Sequence, residues 1–108
     1  MGNLRTAEVE DLLEVLTTMD DKDEMYALFE DIFTIREIKE TSQRLSVARL
    51  LAAGKPYTAI AEITGASATT IARVSKALNY GSGGYKIALG VLDAQEDNAQ
   101  QCSGDNAE

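Results

Sequence analysis

Hydrophobic residues recur every three or four positions through the N-terminal third of the chain, the spacing of an amphipathic helix. Thr6 is a candidate N-cap for a first helix that runs to about Met19. Asp20 and Asp21 end that helix and cap a second one, which precedes Thr34. The two apolar faces are Val9, Leu12, Leu13, Leu16 and Met19 in the first helix, and Met25, Leu28, Phe29, Ile32 and Phe33 in the second.

A third and longer helix is predicted to begin at Thr34, because Thr34 and Glu37 have the spacing of a capping box. Gly54 ends it, since glycine readily adopts the backbone conformation that follows a helix. Its apolar side is Ile35, Ile38, Leu45, Ala48 and Leu51.

Residues 55–78 predict two short helices joined by a tight turn at Gly65. Pro56 suits the first turn of the fourth helix, and the fifth helix runs from Ser67, its candidate N-cap, to Leu78. Ala61 is small enough for close crossing of the two helices. The facing apolar stripes are Ile60 and Ile63 on the fourth helix, and Ile71 and Val74 on the fifth. This arrangement indicates a helix-turn-helix, whose second helix can enter a DNA major groove.

The alternative for this segment is an ordinary helical hairpin inside a bundle. The composition of the fifth helix favours a DNA reader, because its polar residues are hydroxylic or cationic. No acidic residue lies between Gly65 and Gly90, whereas a helix that faces only solvent usually carries both signs of charge.

Residues 81–84, Gly-Ser-Gly-Gly, predict a flexible hinge. The apolar segment that follows, up to Leu92, is either helical or extended. From Asp93 the chain is polar and acidic, which predicts a disordered tail over 93–108. The expected organisation is one all-α domain over residues 1–92 followed by that tail.

Several functional classes are excluded by composition. With no histidine and the single Cys102, ordinary zinc and haem ligand sets, a Ser-His triad and an internal disulfide cannot be assembled. No set of nucleophile, base and acid is visible, so an enzyme is not expected. The absence of a long apolar run and of a signal-peptide pattern, together with the cysteine usage, predicts a cytoplasmic protein.

Charge is unevenly distributed along the chain. The net charge of −8 argues against a nucleic-acid partner, since phosphate binding needs a basic surface. Residues 1–34 have a net charge of −8 and residues 93–108 of −5, whereas residues 35–92 have a net charge of +5. Because screening limits electrostatic effects to about 10 Å at ordinary salt, the local charge of the middle segment matters most.

The DNA contacts expected from this segment fall into two groups. Short side chains at the start of the fifth helix would face base edges, and cationic or hydroxyl groups would hold phosphates. The first group is Ser67, Ala68, Thr69 and Thr70. The second group is Lys55, Tyr57, Thr58, Arg73 and Lys76.

Two amphipathic N-terminal helices carry more apolar surface than a domain of this size can cover by itself. Pairing with a second copy would bury that surface and set two reading helices about one DNA turn apart. The alternative is a compact monomer with a loosely packed first helix. We therefore expect a homodimer, with residues 1–34 as its acidic dimerisation helices.

The chain resembles the Trp-repressor superfamily, from about Thr34 to Leu92 and more loosely from Ala7. It is most similar to the Trp-repressor-related branch known as the YerC/YecD type. The matching residues are Gln43-Arg44-Leu45, Leu50-Leu51, Gly54, Ile60-Ala61-Glu62, Gly65, the run from Ala66 to Arg73, and the run from Leu78 to Tyr85.

This resemblance implies an intertwined, all-helical homodimer that regulates bacterial transcription by binding DNA. It also implies that Arg44 and Arg73 correspond to two arginines that sandwich the corepressor ring in the Trp repressor. Val74 stands where the Trp repressor has a glycine that leaves room for that ligand. The expected effector is therefore another small molecule, or none, rather than tryptophan.

Two alternatives stay open at this point. Arg73 could contact a phosphate directly, while Arg44 could pair with Glu40, four residues earlier on the same helix. For the whole protein, the alternative to a regulator is a helical adaptor that binds a protein partner instead of DNA, which the acidic N-terminal helices and tail would favour.

Overall fold

A computed structural model describes the backbone of residues 4–105 and the side chains of residues 4–96. The described chain forms six α-helices and no strand, which confirms the predicted all-α class. The helices are α1 (Ala7–Thr18), α2 (Lys22–Ile32), α3 (Ile35–Ala52), α4 (Tyr57–Thr64), α5 (Ala68–Tyr80) and α6 (Gly84–Asp105). Within this part of the chain, no helix has the length and apolar character of a membrane span.

The chain divides into two compact units, residues 1–39 and residues 40–108. The division falls inside α3, a few residues beyond the acidic segment that the sequence marks as 1–34. We call these the N-terminal unit and the C-terminal unit.

The helix starts of the N-terminal unit agree with the predicted caps. The Thr6 hydroxyl accepts a hydrogen bond from the Val9 N–H at 3.3 Å. The Asp21 carboxylate accepts from the N–H groups of Asp23 and Glu24, at 2.8 and 3.1 Å. These contacts satisfy N–H groups that have no partner within the helix. The boundaries of α1 and α2 are therefore encoded locally.

The capping box at the start of α3 is also confirmed. The Glu37 N–H donates to the Thr34 hydroxyl at 3.1 Å, and the Thr34 N–H donates to the Glu37 carboxylate at 2.9 Å. The two residues thus satisfy each other's backbone donors, as the motif requires.

The apolar faces of α1 and α2 remain accessible. Phe29 and Phe33 pack edge to face, with ring centroids 5.2 Å apart. Among the described side chains, however, none in α1 or α2 is buried. Ile32 is 51% exposed and Ile35, at the start of α3, is 76% exposed. The N-terminal unit therefore has exposed aliphatic side chains and no buried side chain in its two described helices.

The core of the C-terminal unit is built from α3, α4, α5 and α6. α5 packs against both α4 and α6. The buried residues of this core are Val47, Ala48, Ile60, Ala66, Ile71, Val74, Leu78 and Leu89. The predicted stripe of Ile71 and Val74 is confirmed, since both side chains are buried.

One part of the predicted packing is wrong. Ile60 is fully buried, but Ile63, assigned to the same stripe of α4, is 63% exposed. The core-facing side of α4 is formed by Ile60 together with the partly buried Ala61 and Thr64, and Ile63 lies outside this side of the helix. Val47, which the sequence analysis omitted, is fully buried on α3 instead.

Glycines with positive φ end two helices. Gly54 has φ 84° after α3, and the N–H groups of Gly54 and Lys55 donate to the carbonyls of Leu51 and Leu50. This is the Schellman pattern of hydrogen bonds. Gly65 has φ 77° and donates its N–H to the Ala61 carbonyl at 2.8 Å, which confirms the predicted turn glycine.

The predicted flexible hinge is a short link with a defined backbone in the structure. Only residues 81–83 connect α5 to α6, and Gly83 has φ 90°. A Cβ atom at Gly81 would collide with the carbonyl oxygen of Ala77 on α5. The requirement for glycine here is steric, because a side chain would distort the connection.

The apolar segment after this link is helical, and α6 continues to Asp105. This differs from the expected disordered tail, which the structure replaces by helix over residues 93–105. Arg49 on α3 contacts Glu96 on α6 at 2.9 Å, and because both side chains are about half exposed, this ion pair stabilises the helix by at most about 1 kcal/mol. Alanine and glutamine are also good helix formers. Residues 106–108 and the side chain of Cys102 lie outside the described residues.

The two isoleucines at the α4–α5 connection give a matched test of the core. Ile71→Ala removes a fully buried side chain and is expected to lower the free energy of unfolding by about 2–5 kcal/mol. Ile63→Ala removes an exposed side chain and is expected to change it by less than about 0.5 kcal/mol. Urea denaturation at one protein concentration measures both, and equal losses would contradict this core assignment.

Candidate nucleic-acid interface

The start of α5 is fixed by its N-cap. The Ser67 hydroxyl accepts a hydrogen bond from the Thr70 N–H at 3.1 Å. The Ser67 and Thr70 hydroxyls are also hydrogen-bonded to each other at 3.1 Å. The cap predicted from the sequence is thereby confirmed, and it holds the first turn of α5 in place.

The connection before this cap is organised around Thr64. Its hydroxyl donates to the Ile60 carbonyl at 2.7 Å and accepts from the Ala66 N–H at 3.1 Å. Its own carbonyl accepts a hydrogen bond from the side-chain amide of Gln43, on α3, at 3.1 Å. The turn therefore has contacts both to α4 and to α3.

α5 has one buried and one exposed face. Ile71, Val74 and Leu78 lie on the buried face. The opposite side, which we call the exposed face of α5, follows a three- and four-residue spacing through the helix. It is formed by Thr69, Ala72, Arg73, Lys76 and Tyr80. The exposed face is thus cationic, hydroxylic and aromatic, with no acidic residue.

The structure brings some of the predicted DNA contacts together on this face. Thr69, Arg73 and Lys76 share it, and Ala68 is exposed beside it. Thr70 is half-buried and engaged with Ser67, so it is set apart from them. Lys55, Tyr57 and Thr58 are exposed around the start of α4.

Ala72 and Tyr80 lie on the exposed face of α5 but were not among the predicted DNA contacts. Tyr80 is 85% exposed at the end of α5. Extending the helical spacing from Thr69 through Arg73 and Lys76 would have included both residues. The residues predicted from the sequence on this helix were hydroxyl and cationic ones, together with Ala68.

Arg44 and Arg73 line a common cleft between α3 and α5. The cleft has a volume of about 290 Å³, close to the lower end of small-molecule pockets (roughly 300–1,000 Å³). Its walls are formed by Glu40, Gln43, Arg44, Thr70, Arg73 and Val74. Of these, Val74 is only 2% exposed and belongs also to the core.

The alternative role foreseen for Arg44 is present in the structure. Its guanidinium lies 3.9 Å from the Glu40 carboxylate, one turn earlier on α3. Both side chains are about half exposed, so water screens this attraction. Both residues line the cleft, and the pair leaves the charge of Arg44 accessible to water.

The helical fold is similar to that of TrpR-like proteins. A crystal structure of a TrpR-like protein from Eubacterium eligens matches with a TM-score of 0.80 and 46% identity, covering 83% of this chain and 93% of that one. The sequence model of the family described as Trp repressor protein matches residues 7–93. The chain therefore belongs to the Trp repressor protein family.

Two further relatives agree with this assignment. The uncharacterized protein YerC of Bacillus subtilis is 44% identical over 89 residues, which cover 82% of this chain and 86% of YerC. A Staphylococcus aureus structure described provisionally as a Trp repressor has a TM-score of 0.79 and 36% identity, covering 83% of this chain and 90% of that one. The predicted resemblance is confirmed, and family membership supports a DNA-binding regulator at the level of the family.

The cap of α5 can be tested apart from any ligand. Ser67→Ala removes the hydroxyl that accepts the Thr70 N–H and is expected to lower the free energy of unfolding by about 1 kcal/mol. Ser67→Asp keeps an acceptor at the same position and is expected to retain most of the stability. Chemical denaturation measures both variants, with Ser82→Ala in the α5–α6 link as the control. The cap assignment is contradicted if Ser67→Ala and Ser82→Ala are equally stable.

Proposed function

We propose that this protein is a DNA-binding transcriptional regulator that acts as a homodimer, with α4 and α5 as its helix-turn-helix. The exposed face of α5 carries this proposal. Thr69, Arg73 and Lys76 lie together on this face, and the opposite face of α5 is buried in the core. A rigid helix with a free cationic and hydroxylic face suits the major groove.

Local charge supports the same function despite the net charge of the chain. Residues 35–92 have a net charge of +5 within a protein of −8. Because screening limits interactions between exposed charges to about 10 Å, DNA at α5 would experience mainly the basic segment. The acidic flanks would still weaken non-specific attraction, which favours binding to selected sequences.

The proposed roles of the contact residues follow their positions. Ala68 and Thr69 are exposed at the start of α5 and would contact base edges, where a methyl group can meet a thymine methyl. Ser67 and Thr70 are engaged in the cap, so they would contribute to base contacts mainly by shaping this first turn. The phosphate-binding set would be Lys55, Tyr57, Thr58, Arg73 and Lys76.

DNA binding is tested by the salt dependence of affinity for random duplex. Arg73→Ala combined with Lys76→Ala is expected to weaken binding and to reduce the slope of log affinity against log salt by roughly 2, about 1 for each lost phosphate contact. Fluorescence anisotropy between about 50 and 200 mM salt measures that slope.

The matched control is Lys22→Ala combined with Lys86→Ala, which removes the same charge from exposed positions outside α4 and α5. We expect this variant to keep the wild-type slope. If the wild-type protein binds no duplex DNA at low salt, the regulator hypothesis is wrong. That outcome would favour the alternative, a helical adaptor for a protein partner.

The proposed homodimer accounts for the accessible apolar surface of the N-terminal unit. No described side chain of α1 or α2 is buried, although both helices are strongly amphipathic. A second copy would remove this surface from water, at roughly 25 cal/mol for each Å² of apolar area. A two-fold pair would also present two copies of α5 to successive half-sites on DNA.

The dimer is tested by substituting an exposed apolar residue of α2. Ile32→Asp places a charge on the apolar face and is expected to shift the protein from dimer to monomer at micromolar concentration, measured by sedimentation velocity. Thr58→Asp adds the same charge on α4, where we expect the dimer to persist and DNA affinity to fall. If wild type sediments as a monomer, the dimer proposal is wrong.

A small-molecule effector, if this protein uses one, is proposed to occupy the cleft between Arg44 and Arg73. The guanidinium groups favour a ligand with an anionic or planar group. Val74 lines the cleft, and its branched side chain would occupy space that a glycine at this position would leave to a ligand as large as tryptophan.

A further inference from the structure

The hydrogen bond between Gln43 and Thr64 links two elements that are distant in sequence. The Gln43 side-chain amide, half-buried on α3, donates to the Thr64 carbonyl at 3.1 Å across 21 positions of sequence. Carbonyls in the last turn of a helix lack a partner within that helix. Gln43 therefore satisfies a backbone acceptor that the short helix α4 leaves open at its C-terminal end.

This contact connects the turn to α3, whereas the hydrogen bonds of the Thr64 hydroxyl are made within the α4–α5 segment. The Thr64 hydroxyl bonds only to its neighbours Ile60 and Ala66. The Ser67 cap follows Ala66 directly and begins α5. Hydrogen bonds thus link α3 to Thr64 and Thr64 to Ala66, and Ala66 is joined by a single peptide bond to the Ser67 cap that begins α5.

We propose that Gln43 is a positioning residue for sequence-specific DNA contacts, an inference that rests on the proposed function. Its amide sets the position of the first turn of α5 relative to α3. Gln43 itself need not touch DNA. Its effect would pass through the turn to Ala68 and Thr69, the proposed base contacts.

Base and phosphate contacts respond differently to a small displacement. Hydrogen bonds and methyl contacts to base edges require distances within a few tenths of an ångström. Attraction between a cationic side chain and a phosphate falls off over about 10 Å. Loss of the Gln43 contact should therefore reduce specific binding and leave non-specific binding nearly unchanged.

The test uses two substitutions at Gln43. Gln43→Met keeps the length of the side chain but has no donor, and Gln43→Glu replaces the donor by an acceptor that repels the Thr64 carbonyl. Gln95→Met, at an exposed position on α6, is the matched control. All are prepared as the full chain and compared with wild type.

The first readout is affinity for two DNA samples. One is a duplex selected from a random library with wild-type protein, and the other is the unselected random library. For Gln43→Met we expect about a tenfold loss on the selected duplex, comparable to one mismatched base pair. Affinity for random duplex and the salt slope should stay within about twofold of wild type. An equal loss on both duplexes would overturn the proposal, because it would indicate a lower folded fraction.

The second readout is hydrogen exchange without DNA. We expect faster exchange of the Gly65 and Ala66 amides in both Gln43 variants, with Val47 and Ile71 as protected as in wild type. Unchanged exchange at the turn would overturn the positioning contact itself. If the wild-type protein binds neither DNA sample, both the proposed function and the specificity role of Gln43 are wrong. The exchange result is independent of DNA and still shows whether Gln43 stabilises the turn.

Discussion

The burial of Ile71 and Val74 against Ile60 and Val47 is the interaction on which the C-terminal unit depends. These side chains occupy one face of α5, so they determine which face remains exposed. A helix of 13 residues gains most of its stability from such packing rather than from its own propensity. Removing this contact would release α5 and, with it, the arrangement of Thr69, Arg73 and Lys76.

The two units differ in how much of their apolar surface is buried. The C-terminal unit has a core drawn from four helices, whereas the described helices α1 and α2 bury no side chain. The acidic and basic residues are divided along almost the same boundary, with net −8 before residue 35 and net +5 over 35–92. The exposed apolar side chains of α1 and α2 and the excess of basic residues thus lie in different segments of the chain.

Helix boundaries were largely predictable because short-range chemistry sets them. The Thr6, Asp21 and Ser67 caps, the Thr34–Glu37 box and the Gly65 turn each involve residues within a few positions of one another. Packing was less predictable, since Ile60 and Ile63 have the same chemistry but opposite exposure. The Gln43–Thr64 bond spans 21 positions, and the Arg49–Glu96 pair spans still more, so neither leaves a local pattern in the sequence. The position of the α5–α6 link was predicted from its glycine-rich composition, whereas the steric need for glycine at position 81 depends on the Ala77 carbonyl of the folded helix.

Val74 belongs at once to the core and to the wall of the cleft. A smaller residue there would deepen the cleft, but the same change would remove methyl groups from the packed interior. Ligand capacity and thermodynamic stability are therefore coupled at one position. A substitution of Val74 that enlarges the cleft would therefore need an equal gain of packing elsewhere in the core to keep the same free energy of unfolding.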